Sequence, residues 1–240
     1  MKVSQNLSSS SLFHFTSKLE YLQAIIEFGF QARYNVEKMV KKRIAYVAPM
    51  ICYCDIPLGS VKYHIHRYGG YGIGLSKPYL KDKGVTPLFY IHSKSPQIPI
   101  TGTNKNIKEL QESRLTPYLK PVFGYDPVLK ESTRIVIGRK GVNYINEKEW
   151  RYIPKKTKVD IIKYRTNQQV IDRKDSINKS SSFTLLKIDD YENIDYIFLE
   201  KKEDIKPFFN FLDGLLKRSS FDKELLISKI ILKGQLLRDF

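Results

Sequence analysis

The chain lacks several features that would narrow its class at once. It has two cysteines, Cys52 and Cys54, among 240 residues. That is too few for a disulfide framework, and no His or Cys cluster beside them completes a zinc set, so no metal is expected. Their i,i+2 spacing puts both on one face of a strand, as two reduced, buried thiols. Neither has an evident base partner for nucleophilic chemistry. No apolar run approaches the roughly 18–20 residues that span a bilayer. The opening Met1-Lys2-Val3-Ser4-Gln5 has no hydrophobic signal core. The expectation is a soluble, cytoplasmic protein with no membrane partner. There is no Walker loop, and Gly69-Gly70-Tyr71-Gly72-Ile73-Gly74 lacks the spacing and following helix of a dinucleotide fingerprint.

Acidic residues are also scarce relative to basic ones. Lys and Arg number 41 against 25 Asp and Glu, for a net charge of +16. All of the excess lies before residue 181, because residues 181–240 carry 10 basic and 11 acidic side chains. A basic field favours nucleic acid, phosphate-rich ligands or anionic surfaces. The competing reading is compositional: 30 Lys against 11 Arg, with only four Ala, is the look of an AT-rich genome. Lys41-Lys42-Arg43 is the densest cluster and the candidate nucleic-acid contact.

The hydropathy pattern places the elements. Leu12 to Phe15 alternate as a short strand does, and Ser17-Lys18-Leu19-Glu20 has the form of a capping box opening a helix that Gly29 closes. Pro49 to Asp55 reads as a buried strand. Ser60 to Tyr68 reads as a short helix ended by Gly69-Gly70. In the strand Tyr71 to Leu75, Gly70, Gly72 and Gly74 share a side-chain-free face, so a backbone, helix or ligand must approach it. Thr86 to His92, Arg134 to Gly138, Lys148 to Ile153, Ile194 to Leu199 and Ser228 to Leu232 read as further strands. Helices are expected around Ile107 to Gln111 and from Asp204 to Leu216, the latter with Ile205, Phe208, Phe209 and Leu212 inward. Residues 1–11 form a loose lead-in and 155–182 a mobile basic surface segment. The whole reads as a single α+β domain over 1–240, with mixed, largely antiparallel sheets and a few flanking helices.

Two constellations could carry chemistry. Glu147, Glu149 and Arg151 fall on one face of a strand. Two carboxylates at that spacing can divide labour, one stabilising a developing cation and the other orienting a nucleophile. They can equally be a solvated ladder with a local salt bridge. His14 and Thr16, where a strand hands over to a helix, could hydrogen-bond a ribose or pyrophosphate, or merely cap backbone.

Four ordered blocks carry a resemblance: Leu12-Phe13-His14-Phe15-Thr16 with Glu27-Phe28-Gly29-Phe30 and Arg33-Tyr34; Pro49 to Leu58; His64 to Leu75; and Tyr144 to Pro154. Together they resemble the bacterial abortive-infection family called AbiGi. That resemblance implies phage defence, as the antitoxin-like partner in a two-gene system with a cognate partner protein. A more distant likeness, in the His-aromatic-Thr strand start and a late strand with Glu, is to ADP-ribosyltransferases, especially RNA 2′-phosphotransferase-like and DNA-modifying members. It implies that His14 binds NAD as substrate, Glu149 is catalytic and Glu147 is the upstream acid of a Glu-x-Glu pair. It also implies that a tyrosine stacks on nicotinamide, with Tyr34, Tyr68 and Tyr71 the candidates beside Thr16 and Arg33. The chain departs from the better-known transferases in lacking a clear Ser-Thr-Ser strand. Two readings stand: an enzyme passing ADP-ribose from NAD to a nucleic-acid or protein acceptor, and a catalytically silent antitoxin-like or nucleic-acid-binding partner.

Overall fold

The computed structural model describes residues 8–39, 43–92, 104–124, 142–217 and 221–239. The first half contains β1 (Ser11–Thr16), α1 (Leu19–Phe28), β2 (Phe30–Lys38), β3 (Ile44–Cys54), α2 (Lys62–Tyr68), β4 (Tyr71–Ser76) and α3 (Lys77–Asp82). Short elements follow: β5 (Thr86–Pro87), β6 (Phe89–Ile91), α4 (Asn104–Glu112), β7 (Leu119–Pro121), β8 (Phe123–Gly124) and β9 (Val142–Asn143). The remainder contains β10 (Glu149–Tyr152), β11 (Asp160–Lys163), α5 (Asn167–Ser180), β12 (Thr184–Leu186) and β13 (Ile194–Leu199). It closes with α6 (Ile205–Leu216), α7 (Lys223–Ser228), β14 (Ile230–Leu232) and α8 (Lys233–Asp239). The fold is α+β with a mostly antiparallel sheet; β6–β7 and β13–β14 are parallel. No helix among the described residues is long and apolar enough to cross a membrane.

The chain packs into two compact units, each assembled from separated stretches. The first comprises residues 1–30, 53–84 and 185–240, the second residues 31–52 and 85–184.

In the first unit β4 lies between β1 and β13, with Phe13 opposite Gly74, Phe15 opposite Gly72, Tyr196 opposite Gly74 and Phe198 opposite Gly72. The bare glycine face is where rings from the two flanking strands meet. Phe13 and Tyr196 approach to 5.7 Å between centroids, and Phe15 and Phe198 to 5.5 Å. A Cβ on Gly74 would stand 2.8 Å from the Phe13 ring. The close approach demanded by the glycine spacing is therefore made by aromatic side chains. Val61, Ile65 and Leu236 complete this apolar core.

The junction of β1 with α1 differs from its sequence expectation. The N-cap is Lys18, without a side-chain cap bond, so the Ser17–Glu20 capping box does not form. Gly69, at φ 122°, packs its backbone directly on Thr16 and Ser17, leaving no room for a Cβ.

In the second unit β3 pairs antiparallel with β2 along one edge (Val47 opposite Val36) and with β11 along the other (Val47 opposite Asp160). Met39, Ile44, Tyr46, Ala48 and Met50 form its apolar core. The segment read as mobile, 155–182, holds β11 and the 14-residue α5. Helix α5 opens with a capping box in which Thr166 accepts from the Gln169 backbone and the Gln169 side chain reaches back. The Arg134 to Gly138 strand expectation lies outside the described residues.

Candidate functional site

The second unit buries an ionic network around β10. Glu147 is not on that strand. It closes a 3-10 turn over Tyr144–Glu147 that the Asn143 side chain caps. Lys148, at φ 42°, then reverses the chain before Glu149. The two carboxylates nonetheless converge, because both reach the ammonium of Lys120, Glu147 at 2.9 Å. Arg151 shares the inward face of β10 with Glu149 and is wholly buried. Its Nε donates to Glu149, its Nη2 to Glu37, and its Nη1 to the Tyr46 hydroxyl and the Pro117 carbonyl, both at 2.8 Å. Lys120 also sits 4.4 Å from the Tyr144 ring centroid and 3.6 Å from Glu37. The carboxylates are therefore sealed in the unit's core, with Arg151 giving one charge-assisted hydrogen bond each to Glu149 and Glu37.

Burial alone would raise the Glu149 carboxyl, but Arg151 and then Lys120 hold it below the usual carboxylate range. Glu37 behaves oppositely: burial raises it more than Lys120 and Arg151 lower it. Lys120 and Arg151 are held charged by the surrounding carboxylates despite burial. Burial, and then the Glu149 charge, push the Cys52 thiol up, which keeps it from being a nucleophile. An ionised carboxylate has no proton to give, and each Glu149 oxygen accepts from a buried cation. Chemically the set acts as a clamp joining β2, β3, β7 and β10. Sequence reasoning missed Lys120, Glu37 and Tyr46. Lys120 lies in an irregular stretch with no periodicity to flag it. Glu37 was legible only as the last of four polar residues, with Gln31, Arg33 and Asn35, on one face of β2.

The remaining sequence candidates fall in two places. In the first unit His14, partly exposed, lies edge-on to Phe30 at 5.3 Å and to Tyr53 at 5.9 Å. Thr16 is opposite Tyr71, whose hydroxyl donates to Asp204 at 2.9 Å. Tyr68 ends α2, with the Arg67 guanidinium 5.0 Å from its ring centroid. In the second unit Arg33 and Tyr34 stand on β2, and exposed Arg43 donates to the Arg165 carbonyl at 3.1 Å. Lys41 and Lys42 lie outside the described residues. His14 and Glu149 thus belong to different units. Among the described residues no group of three or more His, Cys, Asp or Glu is arranged to hold a metal.

The charge is segregated more sharply than the sequence order suggested. Over their full sequences the second unit carries 24 basic and 10 acidic side chains, a net +14, while the first carries 17 and 15, a net +2. The buried network contributes three of those ten carboxylates, so what remains outside it in the second unit is more positive still.

The chain matches the family model described as "Putative abortive phage resistance protein AbiGi, antitoxin" over residues 30–209. That span contains the whole buried network and begins after His14 and Thr16. The chain is also similar to the abortive phage resistance protein AbiGi of Lactococcus lactis subsp. cremoris, at 26% identity, covering 80% of this chain and 88% of that protein. No solved structure matches the chain. With three-quarters of its length matched, the chain belongs to the AbiGi family of abortive-infection phage-resistance proteins.

Proposed function

We propose that this protein is the antitoxin-like component of a two-gene phage-defence system, acting in the cytoplasm by binding and without turnover. Its basic second unit engages nucleic acid, and a cognate partner protein is what it restrains. The observation that carries the reading is the fate of Glu149: both of its oxygens are taken up by buried cations. The family description, which includes the word antitoxin, supports the same reading. The test is growth. Expressing the protein encoded beside it should arrest cells, and co-expressing this chain should relieve the arrest. Arrest caused by this chain alone would overturn the proposal.

The second reading is ADP-ribosyl transfer from NAD on an ADP-ribosyltransferase-like fold, with a nucleic-acid or protein acceptor. What favours it is His14, partly exposed between two edge-on aromatic rings. Glu149→Gln is a poor probe of it, since the change also leaves buried cations underpaired and threatens the fold. His14→Ala is the cleaner variant. Transfer of labelled ADP-ribose by the wild type, lost in His14→Ala, would establish this reading in place of the first.

A further inference from the structure

The second unit has a cleft of about 470 Å³ lined by Arg33, Tyr34 and Asn35 of β2 and by Lys174, Asp175, Asn178 and Lys179 of α5. From it we infer that this cleft binds the sugar–phosphate backbone of a single-stranded nucleic acid. The inference rests on the nucleic-acid part of the function proposed above and gives it an address.

The cleft arises because α5 lays its C-terminal half along β2. The Asn178 side chain makes the join, accepting from the Tyr34 amide at 3.0 Å and donating to the Tyr34 carbonyl at 2.9 Å. At Tyr34 a side-chain amide thus occupies both backbone groups of the β2 edge that β12 also flanks. This decides between polyanions. An acidic peptide adding to the sheet edge would need those same two backbone groups. A phosphodiester needs only cations and scattered donors. These are present: Arg33, Lys174 and Lys179 against one carboxylate, Asp175, which lies 3.1 Å from Lys174. The Arg33 guanidinium lies 5.1 Å from the Phe183 ring centroid, which holds it in place. Lys174 is only 17% exposed, so α5 walls a cleft and does not project cations outward as a helix entering a duplex groove would. Neighbouring Lys38 lies 5.8 Å from the Tyr164 ring centroid, and Arg43, Arg165 and Arg173 are exposed. Cations alternating with aromatic rings are the usual surface for single strands. The +14 of the unit supplies the long-range attraction.

The test is fluorescence anisotropy of the full chain with a labelled single-stranded RNA, the same sequence as DNA, and the duplex, across a salt series. The wild type should bind single strands more tightly than duplex, and the tighter of RNA and DNA names the source. Arg33→Ala with Lys179→Ala should weaken binding about tenfold. It should also flatten the salt slope by about 1.4, or roughly 0.7 for each phosphate no longer neutralised. Lys155→Ala with Lys156→Ala, the same charge change at exposed positions outside the cleft, should stay within about twofold. Thermal melts of both variants check the fold. If the two double variants bind alike, the cleft is overturned while the nucleic-acid reading survives. If the wild type binds no nucleic acid at about 50 mM salt, both fall. Polyglutamate of matched charge competing as well as RNA would overturn the inference in favour of an acidic protein partner.

Discussion

The two units solve the same problem with opposite materials. The first buries phenyl rings over glycines: Phe13, Phe15, Tyr196 and Phe198 cover Gly72 and Gly74, and the unit is nearly neutral. The second, strongly basic, closes part of its core with Glu37, Lys120, Glu147, Glu149 and Arg151. An apolar core tolerates small changes by repacking. A buried ionic core does not, because each charge is tolerable only while its partners are there. Their sensitivities should therefore differ in kind.

The largest effect should come from Arg151→Met. It strands Glu149 and Glu37 in the interior and should cost about 3–5 kcal/mol by urea unfolding. Replacing Arg151, Glu149 and Glu37 together by apolar residues of similar size should recover most of that loss. If the triple variant is no better than the single one, the network is more than a compensated set of charges. In the first unit Gly74→Val forces a Cβ against Phe13 and Tyr196 and should cost about 1–3 kcal/mol by the same measurement. No loss there would mean the ring stack yields more easily than its spacing suggests.

Acid sharpens the contrast. The Glu149 carboxyl is depressed below its ordinary 4.5, so its stabilisation is fully present above about pH 4.5 and is lost as pH falls toward the folded value. Glu37 is raised and has the opposite sign: between its folded value and about pH 4.5 it binds its proton more readily when folded, an offset that favours the folded state as pH falls through that window. Glu37→Gln removes the offset. The wild type should therefore gain stability relative to the variant as pH falls toward about 4.5, and below about pH 4.5 the two curves should fall together. Curves that stay parallel above about pH 4.5 as well would show that Glu37 takes up no proton on folding. The smallest effect is Thr166→Ala, which removes the α5 capping box and should cost about 1 kcal/mol.

What was legible in the sequence follows the range of the forces involved. Period-2 alternation located β1, β4 and β13, and the Gly72/Gly74 spacing announced a close approach, though not that phenyl rings would make it. Gly29 and Gly69 marked helix ends through their backbone freedom. The Ser17 capping box does not form, at a junction where Gly69, some fifty residues away, packs its backbone. Polar composition made 155–182 look unstructured, although Thr166 and Gln169 were a valid helix start within it. The Glu149–Arg151 pair was legible as a shared face. Its burial was not, because that depends on Lys120 and Glu37, each brought in by a separate chain segment. The units themselves interleave in sequence, so no linker composition could mark a boundary.

The shared wiring of the buried charges also bears on how the family can diverge. Two cations serve three carboxylates, so neither cation can change alone without leaving carboxylates underpaired, whereas the loss of Glu147 still leaves Lys120 paired with Glu149. Within the family, the two cations should change only together with their carboxylates. A relative lacking the arginine at position 151 should also carry changed residues at the positions of Glu37 and Glu149. Exposed lysines outside the cleft, such as Lys155 and Lys156, are free to drift one at a time.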